Sequence, residues 1–323
     1  MGGDFGPEPI VKGTLLALKE RKFEPILVGK RDEILSLLPK GYKNKILIVD
    51  ADDVISMSDA ATDALKRKES SIFKAVDLVK KGEADGVVSA GHSGATMTLA
   101  TLRLGRLKNV LRPALVTLMP SKGNNRTVML DVGANVDCAP EHLEQFAIMG
   151  KYYAHDMLNI KTPRVGLLAN GEEESKGNEV TKAAFKRLQG SEGFIGNVEG
   201  SDIFNGECDV VVCDGFIGNL VLKTAEGTAS TISYFLKDYI RKSPVAITGA
   251  LLMRKVFKLL KKETDYAEEG GAPLIGIKGC AIVGHGKSNP KAIKNAIFQA
   301  IRYVDTGVNE HIERSINELP KGN

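Results

Sequence analysis

Along this chain, short β-branched apolar runs alternate with longer stretches whose apolar residues recur at helical spacing. Residues 25–28, 45–49, 86–89, 127–130, 165–168, 210–213 and 281–283 read as strands, and most of these runs end in glycine with a small polar residue. The spacing predicts a helix over 70–81, where Ile72, Ala75, Val76 and Val79 share one face. It predicts another over 140–158, with Pro140 and Glu141 suited to a first helical turn, and a long helical region over 289–316. Alternation of this kind gives an α/β protein with a mostly parallel sheet covered on both faces. No internal repeat or low-complexity tract interrupts it.

One segment departs from the alternation. Residues 219–262 lack a convincing strand and read as two helices, 219–241 and 250–262, joined by the apolar connection 242–249. The expected organisation is therefore one α/β domain over 1–323 carrying an αα-hairpin at about 219–262. In the second helix Leu252, Met253, Val256, Leu259 and Leu260 form one stripe, while Arg254, Lys255, Lys258, Lys261 and Lys262 fill the other face. Such a helix suits either an anionic membrane surface or a partner subunit. Dimer packing is expected for the helix flanks, and transient contact with lipid or an apolar chain for the tip at 244–251.

Composition narrows the classes. The 323 residues are 43% hydrophobic and 26% charged, with a net charge of +4. That is ordinary for a globular protein and far from a dedicated nucleic-acid binder, so no nucleic-acid partner is expected. A mild excess of Lys and Arg favours acidic partners such as phosphates, an acidic carrier protein or an anionic membrane. Cys138, Cys208, Cys213 and Cys280 contain no C-x-x-C pair, and no metal-ligand spacing is present, so reduced thiols in a cytoplasmic protein and no metal are expected. No apolar run follows a basic start, and the longest uncharged apolar stretch, 243–253, is shorter than the about 20 residues a bilayer span needs.

Candidate chemistry lies in five loops that follow strands. They are Ser89-Ala90-Gly91-His92-Ser93-Gly94, Asp131-Val132-Gly133-Ala134-Asn135, Ala169-Asn170-Gly171-Glu172, Cys213-Asp214-Gly215-Phe216-Ile217-Gly218-Asn219 and Gly284-His285-Gly286-Lys287-Ser288. Each alone is consistent with a plain turn. Together at the carboxyl edge of one sheet they predict an anion-binding cleft, because glycine permits close backbone approach and a following helix presents free N–H groups. The chain lacks G-x-x-x-x-G-K-[ST], G-x-G-x-x-G and G-x-S-x-G, which argues against a P-loop, a dinucleotide site and an acyl-serine elbow. His92 and Ser93 are adjacent on a turn, where side chains rarely point at each other, so a dyad is not expected. Lys176, after Glu172-Glu173-Glu174, is either part of a solvated charged loop or a phosphate-binding point charge. Asn219 is either an ordinary first-turn residue or a donor to a developing oxyanion. Arg103, Arg106, Lys108 and Arg112 form a basic cluster, either a solvated helix end or a docking patch for an acidic protein.

Taken in order, Met1-Gly2-Gly3-Asp4-Phe5-Gly6-Pro7, Ser89-Ala90-Gly91-His92-Ser93-Gly94-Ala95, Arg112-Pro113-Ala114, Asp131-Val132-Gly133-Ala134-Asn135-Val136-Asp137, Lys176-Gly177-Asn178-Glu179, Asp214-Gly215-Phe216-Ile217-Gly218-Asn219 and Gly270-Gly271-Ala272 resemble the phosphate acyltransferase family of bacterial phospholipid synthesis. The resemblance spans essentially the whole chain. It implies a three-layer α/β/α sandwich similar to phosphotransacetylases and the isocitrate dehydrogenase group. It also implies transfer of a long-chain acyl group from acyl carrier protein to inorganic phosphate, with no cofactor, by a homodimer with peripheral membrane contact. Lys176 and Asn219 become the leading catalytic candidates. Gly2, Gly3, Asp4, His92, Ser93, Asn135, Asn170, Asp214, Gly215 and His285 are expected around the substrate, with His285 a possible proton relay. The family places a short strand ahead of its Met-Gly-Gly-Asp sequence, whereas this sequence starts at Met1. The remaining readings are a related enzyme acting on acyl-coenzyme A, and a non-catalytic scaffold that docks a carrier protein or a membrane.

Overall fold

A computed structural model describes residues 1–264 and 266–319. The chain opens on α1 (Glu8–Glu20), β1 (Ile26–Gly29), α2 (Arg31–Leu37) and β2 (Leu47–Asp50). Next come α3 (Ser71–Lys80), β3 (Gly86–Ser89), α4 (Ser93–Leu99), β4 (Ala114–Leu115), β5 (Thr117–Ser121) and β6 (Asn125–Leu130). The middle holds α5 (Pro140–Leu158), β7 (Val165–Leu168), α6 (Glu179–Leu188), β8 (Phe194–Val198), α7 (Asp202–Asn205) and β9 (Val210–Val212). Helices α8 (Gly215–Arg241), α9 (Pro244–Leu252), α10 (Arg254–Thr264) and α11 (Tyr266–Glu269) precede β10 (Ala272–Ile275), β11 (Cys280–Val283), α12 (Pro290–Thr306) and α13 (Val308–Glu318).

The strands form three sheets rather than one. The largest runs β5-β6-β9-β7-β8, with only β5 antiparallel to its neighbour. The second runs β3-β11-β10-β4, with β3 and β11 parallel and β10 antiparallel to both its neighbours. The third is the parallel pair β1-β2. In the largest sheet, side chains alternate between two cores. Val128, Leu130, Val210, Val212, Val165 and Leu167 pack with Phe146, Met149 and Tyr153 of α5 and with residues of α12 and α13. Met129 and Val211 face the other way, toward Met119, Ile203 and the α8 residues Val221, Leu222 and Ala225. Burial on both faces is why residues 128–130 of β6 and 210–212 of β9 are apolar at every position.

Local signals explain most element ends. Ser70 caps α3, its Oγ accepting from the Phe73 amide at 3.4 Å. The α5 bounds match the sequence pattern, with Pro140 opening the helix and Asn159 closing it in the left-handed region at φ 58°. The long helical region at the end is instead two helices, α12 and α13, because Gly307 adopts φ 63°, a left-handed stop.

The segment expected as an αα-hairpin differs in two ways. Helix α8 starts at Gly215, not at 219, because Asp214 caps it. The supposed apolar turn is itself helical: Ser243 Oγ accepts from the Ala246 amide at 3.3 Å and Pro244 occupies the first turn, so 244–252 becomes α9. Residues 1–3 pass between the carboxyl ends of β1 and β3. The Met1 side chain lies against Gly29, and a Cβ on Gly3 would lie 2.6 Å from the Ala90 carbonyl oxygen.

Candidate active site

The five strand-end loops are divided between two sheets, which corrects the expectation of one common edge. The β6, β7 and β9 loops crown the largest sheet, where β9 lies between β6 and β7. The β3 and β11 loops crown the second. Asp131 joins the two, because its Oδ1 accepts from the Leu115 amide on β4 at 2.9 Å, while the Val132 amide donates to the Leu115 carbonyl at 3.0 Å. The sheets are therefore stitched together at the loop expected to bind substrate.

Around the second sheet, the structure brings Gly2, Gly3 and Asp4 to the 90–92 and 284–287 loops. The Asp4 amide donates to the Gly286 carbonyl at 2.9 Å, and a Cβ on Gly286 would lie 3.0 Å from Asp4 Oδ1. His92 is the N-cap of α4: its Nδ1 accepts from the Ala95 amide at 3.1 Å. That acceptor role places the ring proton on Nε2, 3.0 Å from the Asp59 carbonyl. Both ring nitrogens are thus engaged by the protein, and Ser93 stands beside them in the first turn with no His92–Ser93 dyad. His285 is exposed, and its Nδ1 accepts from the Lys287 amide at 3.1 Å.

The larger sheet carries Asn135, Asp214, Gly215, Asn219, Asn170 and Lys176. Asn135 is buried, and its Nδ2 donates to Pro113 O at 2.7 Å and to Asp131 Oδ2 at 2.9 Å, so its amide organises the loop from inside. Asp214 Oδ1 accepts from the Ile217 amide at 2.9 Å and caps α8. The Gly215 amide donates to Asn135 O at 2.7 Å, seating the start of α8 on the β6 loop. Asn219, the fifth residue of α8, is exposed just beyond the first turn, its Cβ 3.8 Å from where a Cβ on Gly133 would sit. A helix of this length presents a positive dipole end here.

The β7 loop is closed on itself. Asn170 Oδ1 accepts from the Gly177 amide at 2.8 Å, and Asn197 Nδ2 donates to Glu173 O at 2.9 Å. Lys176 lies half-exposed with its stem across Gly171 and its Nζ 4.0 Å from Glu173 Oε2, the outer limit of an ion pair. The charged loop is therefore neither fully solvated nor tightly paired. Lys176 and Asn219 rise from loops after adjacent parallel strands, β7 and β9.

Sequence reasoning passed over two residues here. Asp131 is fully buried and accepts from Leu115, Gly133, Ala134 and Asn135; burial raises its carboxyl above the ordinary value and the hydrogen bonds pull it back. Its signal was an acidic residue directly after the apolar run Val128-Met129-Leu130, ahead of small residues whose amides can fold back. Cys138 donates to Asn135 O at 3.7 Å, and burial, aided by the Asp131 and Asp214 charges, pushes its thiol up to about 11. A thiol at that value is protonated at neutral pH and a poor nucleophile. Cys138→Ser is expected to keep near-full turnover, and alkylation of Cys138 to stay slow at pH 7 and accelerate only as the pH nears about 11. Rapid alkylation at pH 7 with matching loss of activity would contradict this.

The basic cluster is smaller than its sequence suggested. Arg103 donates to Asp77 Oδ1 at 3.0 Å and lies 5.2 Å over the Phe73 ring, and Arg106 donates to the Leu111 carbonyl. Arg106, Lys108 and Arg112 remain exposed.

Comparison with known proteins gives the family and the fold. A family model described as "Fatty acid synthesis protein" matches residues 1–311. The phosphate acyltransferase of Sulfurimonas denitrificans is 74% identical over 99% of this chain and 96% of that protein. That of Campylobacter fetus is 59% identical over 99% and 97%. Among solved structures, a phosphotransacetylase from Streptococcus pyogenes has a TM-score of 0.65 at 17% identity, covering 93% of this chain and 92% of that one. A branched-chain phosphotransacylase from Enterococcus faecalis has a TM-score of 0.59 at 15% identity, covering 94% and 97%. The architecture is thus the phosphotransacetylase-like α/β fold, and the chain belongs to the phosphate acyltransferase family and is an acyltransferase.

Proposed function

We propose that the enzyme transfers a long-chain acyl group from acyl carrier protein to inorganic phosphate, giving an acyl phosphate. The observation that carries this is the placement of a half-exposed lysine and a helix-start asparagine on the loops of adjacent parallel strands. Lys176 attracts the phosphate dianion as a point charge. A phosphate oxygen attacks the thioester carbonyl, and the Asn219 side-chain amide stabilises the tetrahedral oxyanion, while the positive dipole end of α8 lies nearby. The C–S bond then breaks, and the leaving thiolate takes up the proton that the hydrogen phosphate gives up on becoming the more acidic acyl phosphate. No residue is acylated, in keeping with the protonated Cys138. In a side-by-side assay, palmitoyl-carrier protein is expected to yield acyl phosphate, trapped as its hydroxamate, in preference to acetyl-coenzyme A. A preference for acetyl-coenzyme A would overturn the choice of donor. Carrier docking is assigned to the exposed Arg106, Lys108 and Arg112 rather than to Arg103, which is paired with Asp77.

The same proposal includes a cytoplasmic homodimer with peripheral membrane contact. The face of α8 that packs through Val221, Leu222 and Ala225 continues outward as Ile232, Leu236 and Tyr239, all exposed. A stripe continuous with a core contact suits a second copy of the chain. Further out, Val245, Leu251 and Leu252 of α9 are 82%, 69% and 84% exposed, followed by Arg254, Lys255 and Lys258. Basic residues contribute roughly 1 kcal/mol each beside an anionic surface. No helix among the described residues is long and apolar enough to cross a membrane. Val245→Glu with Leu251→Glu is expected to abolish flotation with anionic vesicles while the mass in solution stays that of a dimer. Dissociation to monomers would place α9 in the subunit interface instead.

A further inference from the structure

Asp131 has no exposed surface. An ionised carboxylate in such a place is tolerated only when its oxygens are fully hydrogen-bonded or paired. No ion pair reaches it among the described residues. It accepts five N–H donors instead: the amides of Leu115 at 2.9 Å, Gly133 at 3.2 Å, Ala134 at 3.0 Å and Asn135 at 2.6 Å, and Asn135 Nδ2 at 2.9 Å. A carboxylate offers about four lone-pair sites, so this one is saturated and has no capacity left to act as a base on substrate. Three consecutive amides converging on one anion form the concavity that elsewhere binds a phosphate. Here the protein's own side chain fills it.

The start of α8 rests on the outside of that same residue. A Cβ on Gly215 would lie 2.8 Å from Asp131 Oδ2, and one on Gly218 would lie 1.9 Å from the Asp131 carbonyl oxygen. Asn219 is the next residue, and it abuts Gly133, whose amide Asp131 also holds. We propose that Asp131 is the positioning residue of the site: its carboxylate folds the 131–135 loop into the seat of the α8 first turn, and so fixes where the Asn219 amide points. This rests on the reading of Asn219 as the oxyanion donor. In Asp131→Asn an NH2 group replaces one acceptor oxygen and meets N–H donors head-on, so the seat shifts although the side-chain volume is kept. A displacement of about 1 Å at a reacting group costs on the order of 100-fold in rate.

The test is a double-mutant cycle on the full chain, with turnover measured as acyl phosphate formed from palmitoyl-carrier protein and inorganic phosphate. Asp131→Asn is expected to lower kcat on the order of 100-fold with the KM for inorganic phosphate little changed. In an Asn219→Ala background the same substitution is expected to cost little more, because residues that act as one unit are not additive. Asn135→Ala, which removes one of the five donors, is expected to show a smaller loss with the same non-additivity, and it serves should Asp131→Asn fail to fold. A lowered melting temperature with unchanged kcat would make Asp131 merely structural and overturn the proposal. So would a loss that multiplies fully with that of Asn219→Ala. Near-wild-type turnover in Asn219→Ala alone would overturn the oxyanion reading itself, and the positioning role with it.

Discussion

Lys176→Ala and Asn219→Ala are each expected to cut turnover by roughly 100- to 1000-fold while leaving the fold intact. Asn219 is exposed one turn into α8, and Lys176 is half-exposed on a loop held by other residues, so neither deletion opens a core. Surface substitutions of that kind usually change stability by less than about 0.5 kcal/mol. The losses should differ in kind. Asn219 strengthens its interaction as charge develops on the carbonyl oxygen, so its removal should fall on kcat. Lys176 holds the phosphate dianion before and during attack, so its removal should also raise the KM for inorganic phosphate. Steady-state kinetics over a phosphate series, with melting curves alongside, separate these effects. Near-wild-type turnover in both variants would remove the β7 and β9 loops from the chemistry.

Gly218→Ala is expected to destabilise the protein by about 3 kcal/mol, the upper end for overpacking. The added Cβ would lie 1.9 Å from the Asp131 carbonyl oxygen, 2.9 Å from its carbon and 3.0 Å from Cys213 Sγ. Two of these three neighbours are backbone, and the Asp131 backbone is held on both sides: its amide donates to Cys213 O and its side chain is saturated. Nothing can give way without unseating α8. Gly227, nine positions on in the same helix by the sequence numbering, provides the contrast, since nothing lies within 4 Å of its Cβ position. Gly227→Ala should stabilise by up to about 1 kcal/mol through helix propensity alone. Denaturant unfolding of the pair checks this, and equal effects at the two sites would contradict the packing of α8 against Asp131.

Much of the fold was legible in the sequence where the signal is local. Strands β3 and β7 and helix α5 fall where the apolar pattern put them, because each is an unbroken apolar or periodic run between clear end signals. Strands β4, β5, β8 and β10 escaped. Pro120 in β5 and Pro273 in β10 argue against a strand, Gly196 and Asn197 break the apolar run of β8, and β4 has only two residues. Pro120 is tolerated because β5 is an edge. Helix α9 did carry a local sign, Ser243 as cap and Pro244 in the first turn, hidden by a composition that reads as an apolar turn.

For the site, the motif residues were legible but their company was not. His92 is spent on a cap three residues ahead and on a carbonyl 33 residues behind. Asp131 draws a donor from Leu115, 16 residues earlier and on a different sheet. Such partners are fixed by strand pairing across the chain, which no local pattern encodes. The division of the five loops between two sheets has the same origin.

Phosphate as the attacking group is the point on which the proposed chemistry turns, and mass measurement of a reaction run in heavy-oxygen phosphate tests it. With palmitoyl-carrier protein as donor, the expected product is palmitoyl phosphate carrying all the heavy oxygens of the phosphate, matched by an equal amount of free carrier thiol, with the mass of the enzyme unchanged throughout. Release of free palmitic acid without acyl phosphate, or an enzyme heavier by one acyl group, would contradict it.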